Sequence, residues 1–293
     1  MAYQEYAPRS TLFQFTSLNG FRGIVGSKEL WFSDIRTLND PRELVFGLGR
    51  VRPTLQNIIR KNDKWDNDLF RPLLEQAYNY IKTTDLFACS FCLSGDAMPL
   101  WQRYGDSGKG ISIGFRPRAI LDIHCRIQRV DYVVEDTPTD EMEKAFFDLL
   151  EPIARLGVRP DPAQVIKIVG KMVSICTATK HESWKYEEEV RAVFAQSEQS
   201  GYESMSSFLG RFRSNDEIAP YRKPLKREGA GGEVSYIPFK YGKKRGKDYD
   251  PSQSIEKVIV GPFAQITPPE VRAILSSEGF ENFEVKLSEC VWR

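Results

Sequence analysis

Two hydrophobic periods interleave along this 293-residue chain, and a chain carrying both must bury sheets and helices against each other. Ile111, Ile113 and Phe115 alternate with small residues in Gly110–Phe115, the period of a strand with one buried face. Compact apolar runs at Leu12–Phe15, Glu29–Phe32, Leu86–Leu93, Arg126–Val134, Glu188–Phe194, Val234–Pro238, Ile255–Val260 and Phe283–Leu287 read as further strands. Between them, Leu18, Phe21, Ile24 and Val25 recur at helical spacing behind Ser17, a good N-cap. Leu44–Ile59 and Trp65–Ile81 also read as helices, interrupted near Lys61-Asn62-Asp63. Met142, Phe146, Leu149 and Leu150 form one stripe after the start signal Thr137–Asp140, and Val165–Cys176 carries a denser one. Pro268–Ser277 is the last helix.

The pattern predicts an α+β fold: a single domain over 1–293 with a mixed, mainly antiparallel sheet. A helical insertion occupies about 137–180, and a basic, mobile hairpin about 220–250. Lys+Arg number 41 against 40 Asp+Glu, a net charge of +1 that argues against a histone-like or long acidic disordered protein. No apolar run approaches the roughly 20 residues of a membrane-spanning helix, so no membrane partner is expected. The start lacks the basic-then-apolar order of a signal peptide. Five scattered cysteines (89, 92, 125, 176 and 290) read as reduced core thiols, and the expected location is cytoplasmic. Cys89-Ser-Phe-Cys92 has metal-like spacing but lies in an apolar strand with no second pair, and no metal is predicted. The chain has two histidines and no phosphate-loop, dinucleotide or nucleophile-elbow motif.

The chemistry-bearing candidates are fewer. On a strand, Val190, Ala192 and Phe194 share the core face, which puts Glu187, Glu189 and Arg191 together on the other. Two carboxylates beside a guanidinium can hold a ribose hydroxyl or stabilise a developing cation. The same pattern also fits a solvated edge strand with a local ion pair. Asn39-Asp40-Pro41 is either turn-and-cap chemistry or part of a binding loop. Trp101 and Tyr104, three apart on a helical turn, are packing residues or stacking platforms, and the Gly-rich stretch with Lys109 after them suits a nucleotide or a tight turn.

From Arg222 to Lys247 the chain holds nine Lys and Arg against Glu228 and Glu233, with Tyr221, Tyr236, Tyr241 and Tyr249 interleaved or adjacent. Positive charge among aromatic faces is the footprint of a nucleic-acid groove, which makes Arg222, Lys223, Lys226, Arg227, Lys243, Lys244 and Arg245 the candidates for that role. A solvated hairpin tip at Gly229–Gly232 is the plainer account. Glu284-Val-Lys286 echoes a metal-dependent nuclease strand but lacks the preceding acidic strand position.

In order, Leu30-Trp-Phe-Ser33, Leu38–Pro41 with Glu43, Phe91–Ser94, Leu100-Trp101 with Tyr104, Lys109–Phe115, Lys180, Trp184–Arg191 and Val258–Gly261 resemble a bacterial family known as domain of unknown function 2971. Pro99 replaces its usual Met-like residue, and Lys185–Glu189 carries one extra charge. The element order is also similar to the ADP-ribosyltransferase fold. That resemblance implies an NAD-consuming enzyme or toxin, with a role in bacterial defence and NAD as substrate. Glu189 would stabilise the ribosyl cation and Glu187 would serve the acceptor. Ser94 would support Glu189, Trp101 or Tyr104 would stack on nicotinamide, and Asn39, Asp40 and Arg191 would bind substrate. Gln14 and Thr16 stand where that fold usually carries a first-strand Arg or His. The implied partners are a nucleotide and a protein or nucleic-acid acceptor. The alternatives are a nucleic-acid-binding or nuclease protein working through the basic segment, and a non-catalytic sensor or interaction domain, in which Glu189 would be exposed.

Overall fold

A computed structural model describes residues 5–38, 43–62, 65, 67–134, 139–156, 160–197, 221–229 and 232–290. The elements in chain order are β1 (Leu12–Thr16), α1 (Leu18–Ser27), β2 (Glu29–Asp34), α2 (Glu43–Lys61), α3 (Asn67–Thr83), β3 (Asp85–Cys92) and α4 (Met98–Tyr104). Next come β4 (Ile111–Phe115), α5 (Pro117–Leu121), β5 (Arg126–Arg129), β6 (Asp131–Val133), α6 (Asp140–Leu156), α7 (Pro162–Thr177), β7 (Thr179–His181) and β8 (Glu189–Gln196). The last are β9 (Leu225–Gly229), β10 (Gly232–Lys240), β11 (Lys243–Arg245), β12 (Asp248–Asp250), β13 (Ile255–Val260), α8 (Pro268–Ser277) and β14 (Glu284–Leu287).

Helix starts follow their capping residues. Ser17 accepts the Gly20 amide at 3.1 Å to open α1, and Thr139 accepts the Met142 amide at 3.1 Å to open α6. Asp161 and Gln164 form a capping box on α7 behind Pro162, and Thr267 with Glu270 does the same for α8. The start signal at 137–138 and the turn at 39–41, including Asn39 and Asp40, lie outside the described residues.

A ten-stranded, mostly antiparallel sheet runs β14-β13-β4-β1-β3-β2-β10-β9, with β8 and β5 branching from β3. β13 and β14 are its parallel pair. Phe32, Phe87, Phe91, Phe115 and Phe194 on the strands and Met142, Phe146, Met172 and Val173 on α6 and α7 belong to one continuous buried core. Each fully buried apolar side chain of this kind stabilises the fold by roughly 1.5–3 kcal/mol. Helices α2, α3, α6 and α7 pack together, so the helices of the predicted insertion share a layer with those from the N-terminal third.

Three expectations change. The expected strand Arg126–Val134 is two: β5 joins the large sheet, while β6 leaves it to pair in parallel with β7. Strand β8 is no edge, because it lies between β3 and β5 and all eight of its residues are buried. The basic segment forms two hairpins, β9–β10 at the end of the large sheet and β11–β12 as a separate pair.

Candidate functional site: a cleft in a split sheet

Strand β3 gives its whole length to β8 along one edge, from Asp85↔Gln196 to Cys92↔Glu189. Along the other edge it pairs with two strands in succession: β2 at Phe87 and Ala88, then β1 at Cys92. Between those pairings Cys89–Phe91 has no ladder partner on that edge among the described residues. β1 and β2 diverge there, with α1 connecting them. The gap is a cleft of about 620 Å³ lined by residues of β1, α1, β2 and β3 and by Tyr104, Lys180, Glu187, Glu189 and Arg227.

Its floor is a chain of alternating charges. Glu189 stands across from Cys92, and Arg191 across from Ser90. Arg191 donates from Nε to Glu189 Oε1 at 2.8 Å and from Nη2 to Oε2 at 2.9 Å, a bidentate pair. Its Nη1 donates to the Thr177 carbonyl at 2.8 Å, at the negative end of α7. Lys180 Nζ then lies 3.1 Å from Glu189 Oε2 and 2.6 Å from Glu187 Oε2. Tyr104 donates its hydroxyl to Glu187 Oε1, and Ser90 gives Glu189 a side-chain hydrogen bond. The β6–β7 pair sets Tyr132 beside Lys180, and the Tyr132 hydroxyl accepts the Glu189 amide at 2.8 Å.

Lys180, Glu187, Glu189 and Arg191 are 5%, 2%, 2% and 1% exposed, so these charges act in a poorly screened environment. Burial raises the proton affinity of both carboxylates. For Glu187 burial prevails over the Lys180 ammonium, and its pKa is raised. For Glu189 the Arg191 guanidinium and then Lys180 overcome burial and hold its carboxyl far below the ordinary range. Burial, then the Glu187 charge, push the Tyr104 hydroxyl up, so it donates and stays protonated. Burial likewise drives the Cys89 thiol up to about 12, consistent with an inert core thiol.

The structure brings four predicted residues into one cleft: Tyr104, Glu187 and Glu189, and from the basic set Arg227. Glu187 arrives by a different route from the one expected. It ends a 3-10 turn, Glu182–Glu187, and Glu188 at φ 43° breaks the extended chain before β8 begins. Arg191 lies under the floor and is committed to Glu189 and Thr177, so it positions the carboxylate rather than meeting a substrate phosphate. Trp101 is fully buried, edge-on to Phe15 at 4.8 Å, with its indole N–H donated to Asp96 at 2.6 Å, and has no face to offer a nicotinamide ring. The supporting serine is Ser90, on the strand; Ser94 follows β3 and is not part of the lining. The Gly-rich stretch is a tight turn: a Cβ on Gly110 would lie 2.1 Å from the Thr16 carbonyl oxygen, and Lys109 is exposed outside the cleft.

Lys180 is a site residue that the sequence pattern alone does not single out. Its signal there is a lone cation directly after the apolar α7 stripe. Gln14 lines the cleft as well. Its Nε2 donates to Cys89 Sγ at 3.4 Å, while its buried Oε1 has no partner.

The basic candidates do not form one groove. Arg222 donates to the Pro238 carbonyl at 2.6 Å over the Phe239 ring, and Lys226 and Arg245 pair with Glu233 and Asp250 at 2.6 and 2.9 Å. Lys223, Lys243 and Lys244 are exposed. Of the tyrosines, Tyr236 stacks on Trp31, Tyr241 is fully buried, and Tyr249 donates to the Asp122 carbonyl, so they serve packing.

Among the described residues no helix is long and apolar enough to cross a membrane, and no cluster of three or more His, Cys, Asp or Glu is placed to hold a metal ion. No curated protein and no solved structure matches the chain significantly. Residues 100–192 match the model of a family described as a protein of unknown function (DUF2971). That stretch contains Tyr104, Tyr132, Lys180, Glu187, Glu189 and Arg191, so the resemblance to this family rests on the segment that builds the charged floor.

Proposed function

We propose that the cleft is the active site of an NAD-consuming, ADP-ribosyl-transferring enzyme. One observation carries this reading: two buried carboxylates share one ammonium at the floor of a cleft, and their environments drive their proton affinities apart. Such divergence assigns acid–base roles. Glu189 is the permanent anion. When the bond between ribose C1′ and the nicotinamide nitrogen breaks, its electron pair leaves with nicotinamide and C1′ becomes an oxocarbenium centre. A fixed carboxylate with no reorganisation to undergo stabilises that charge. Glu187, whose proton affinity is raised, takes the proton of the acceptor as its oxygen or nitrogen bonds to C1′. Tyr104 and Lys180 hold Glu187 in place.

The test is nicotinamide release from NAD by the purified protein, with and without cell lysate, beside Glu189→Gln. Release abolished in the folded variant supports the reading. Release only with lysate indicates a macromolecular acceptor. No release in either condition from folded protein removes the reading.

A nucleic-acid reading retains one supporting observation, the run of exposed cations Lys243-Lys244-Arg245 on β11. It requires binding that weakens steeply with salt and depends on those three side chains.

A further inference from the structure

The far wall of the cleft has a chemistry of its own. β2, β10 and β9 pair with Trp31 opposite Pro238, Ser33 opposite Tyr236, Tyr236 opposite Leu225 and Val234 opposite Arg227. Directly paired antiparallel residues share a face, so Trp31, Ser33, Tyr236 and Arg227 stand on one side, and Phe32, Ile237 and Phe239 turn to the core on the other. Trp31 stacks on Tyr236 with centroids 4.4 Å apart and is still 46% exposed. Arg227 reaches across it, its guanidinium carbon 5.8 Å from the indole centroid, and donates from Nη2 to Ser33 Oγ at 3.1 Å.

Arg227 makes no ion pair among the described residues, and its Nε is buried without a hydrogen-bond partner. A guanidinium with a buried idle donor, in the wall of a cleft, lacks an acceptor. The floor, whose two carboxylates are matched by Lys180 and Arg191, lies at the β3–β8 end, and this guanidinium without an ion-pair partner lies at the β9 end. An anionic diphosphate finds its counter-charge at the second end.

We propose that this wall is the diphosphate half of a nucleotide site, with the Arg227 guanidinium binding phosphoryl oxygen and Trp31 packing against the adenosine. The assignment rests on the NAD reading for the orientation of the ligand, and its test does not require turnover.

ADP-ribose carries the diphosphate and lacks the nicotinamide bond, which makes it the probe. Its binding is followed by calorimetry and tryptophan fluorescence for wild type, Arg227→Gln, Arg227→Lys and Trp31→Ala, with adenosine as the phosphate-free control. Arg227→Gln is expected to weaken ADP-ribose about tenfold or more, the scale of one charge-assisted hydrogen bond, and to leave adenosine nearly unchanged. Arg227→Lys restores only part of the loss, because a point charge lacks the planar fork of donors. Equal ADP-ribose affinity in wild type and in folded Arg227→Gln overturns the assignment, as does no ADP-ribose binding by wild type. Arg227-dependent binding without NAD cleavage upholds it while the reaction fails. Cleavage with an unchanged KM in Arg227→Gln discards it and leaves the reaction standing.

Discussion

Glu187 and Glu189 are bridged by one ammonium, that of Lys180, at 2.6 and 3.1 Å, and the bridge leaves them unequal. Glu189 has a second cation in Arg191; Glu187 has a neutral phenol. The different partners, rather than the shared one, separate their proton affinities.

Glu189→Gln is therefore expected to affect both catalysis and stability. On the proposed reaction it removes the anion assigned to the ribosyl cation, and nicotinamide release should fall at least about a hundredfold. It also leaves Arg191, 1% exposed, without its counter-charge. A loss of about 3 kcal/mol in urea denaturation is the scale for breaking a buried pair from one side.

Acid titration should distinguish the two carboxylates. Glu189, held below its ordinary 4.5, contributes stability that is fully present above that pH and is lost as pH falls through its lower folded value. Glu187 is raised, so its contribution has the opposite sign: full below 4.5 and lost as pH rises through its folded value. Relative to wild type, Glu187→Gln should gain stability at neutral pH and lose that advantage on acidification. Urea midpoints from about pH 3 to 8 for the two proteins check this.

Lys180→Met removes the charge that favours ionised Glu187. The Glu187 carboxyl should rise further, and the ascending limb of the pH–rate profile should move to higher pH. A profile that loses height without moving would make Lys180 a packing residue.

Trp101→Phe should leave the KM for NAD unchanged, because the indole is packed on Phe15 away from the cleft. Trp101→Ala should cost about 3–5 kcal/mol in a thermal or urea melt.

Gly110→Ala tests the tight turn. With a Cβ placed 2.1 Å from the Thr16 carbonyl oxygen, rigid backbone must give way, at a cost of about 1–3 kcal/mol read from the melting temperature.

Where local rules act alone, the sequence was informative. Ser17 marked a helix start, and the stripes of α6 and α7 face the core. Face-sharing of Glu189 and Arg191 also followed from the strand period. What the sequence did not show depends on distant partners. The chain leaves β8 after Val130 because the next amide, that of Asp131, donates to the Ala178 carbonyl, a contact invisible in the 126–134 run. Ser90 outranks Ser94 because the register sets Ser90 opposite Arg191. Trp101 has the composition of a stacking platform, and only the tertiary position of Phe15 shows that it is filler. Arg227 looked like one cation among nine; pairing to β10 is what carries it into the cleft.

The position of β8 also governs when the cleft can come into being. It enters after β3 and β5 have been made, sliding between residues 85–92 and 126–129 that must wait for it. A chain emerging in order has no floor to its cleft until residues 180–191 have been added. Half-made chains therefore lack the charged floor, and the cleft is complete only after β8 has paired with both of its neighbours.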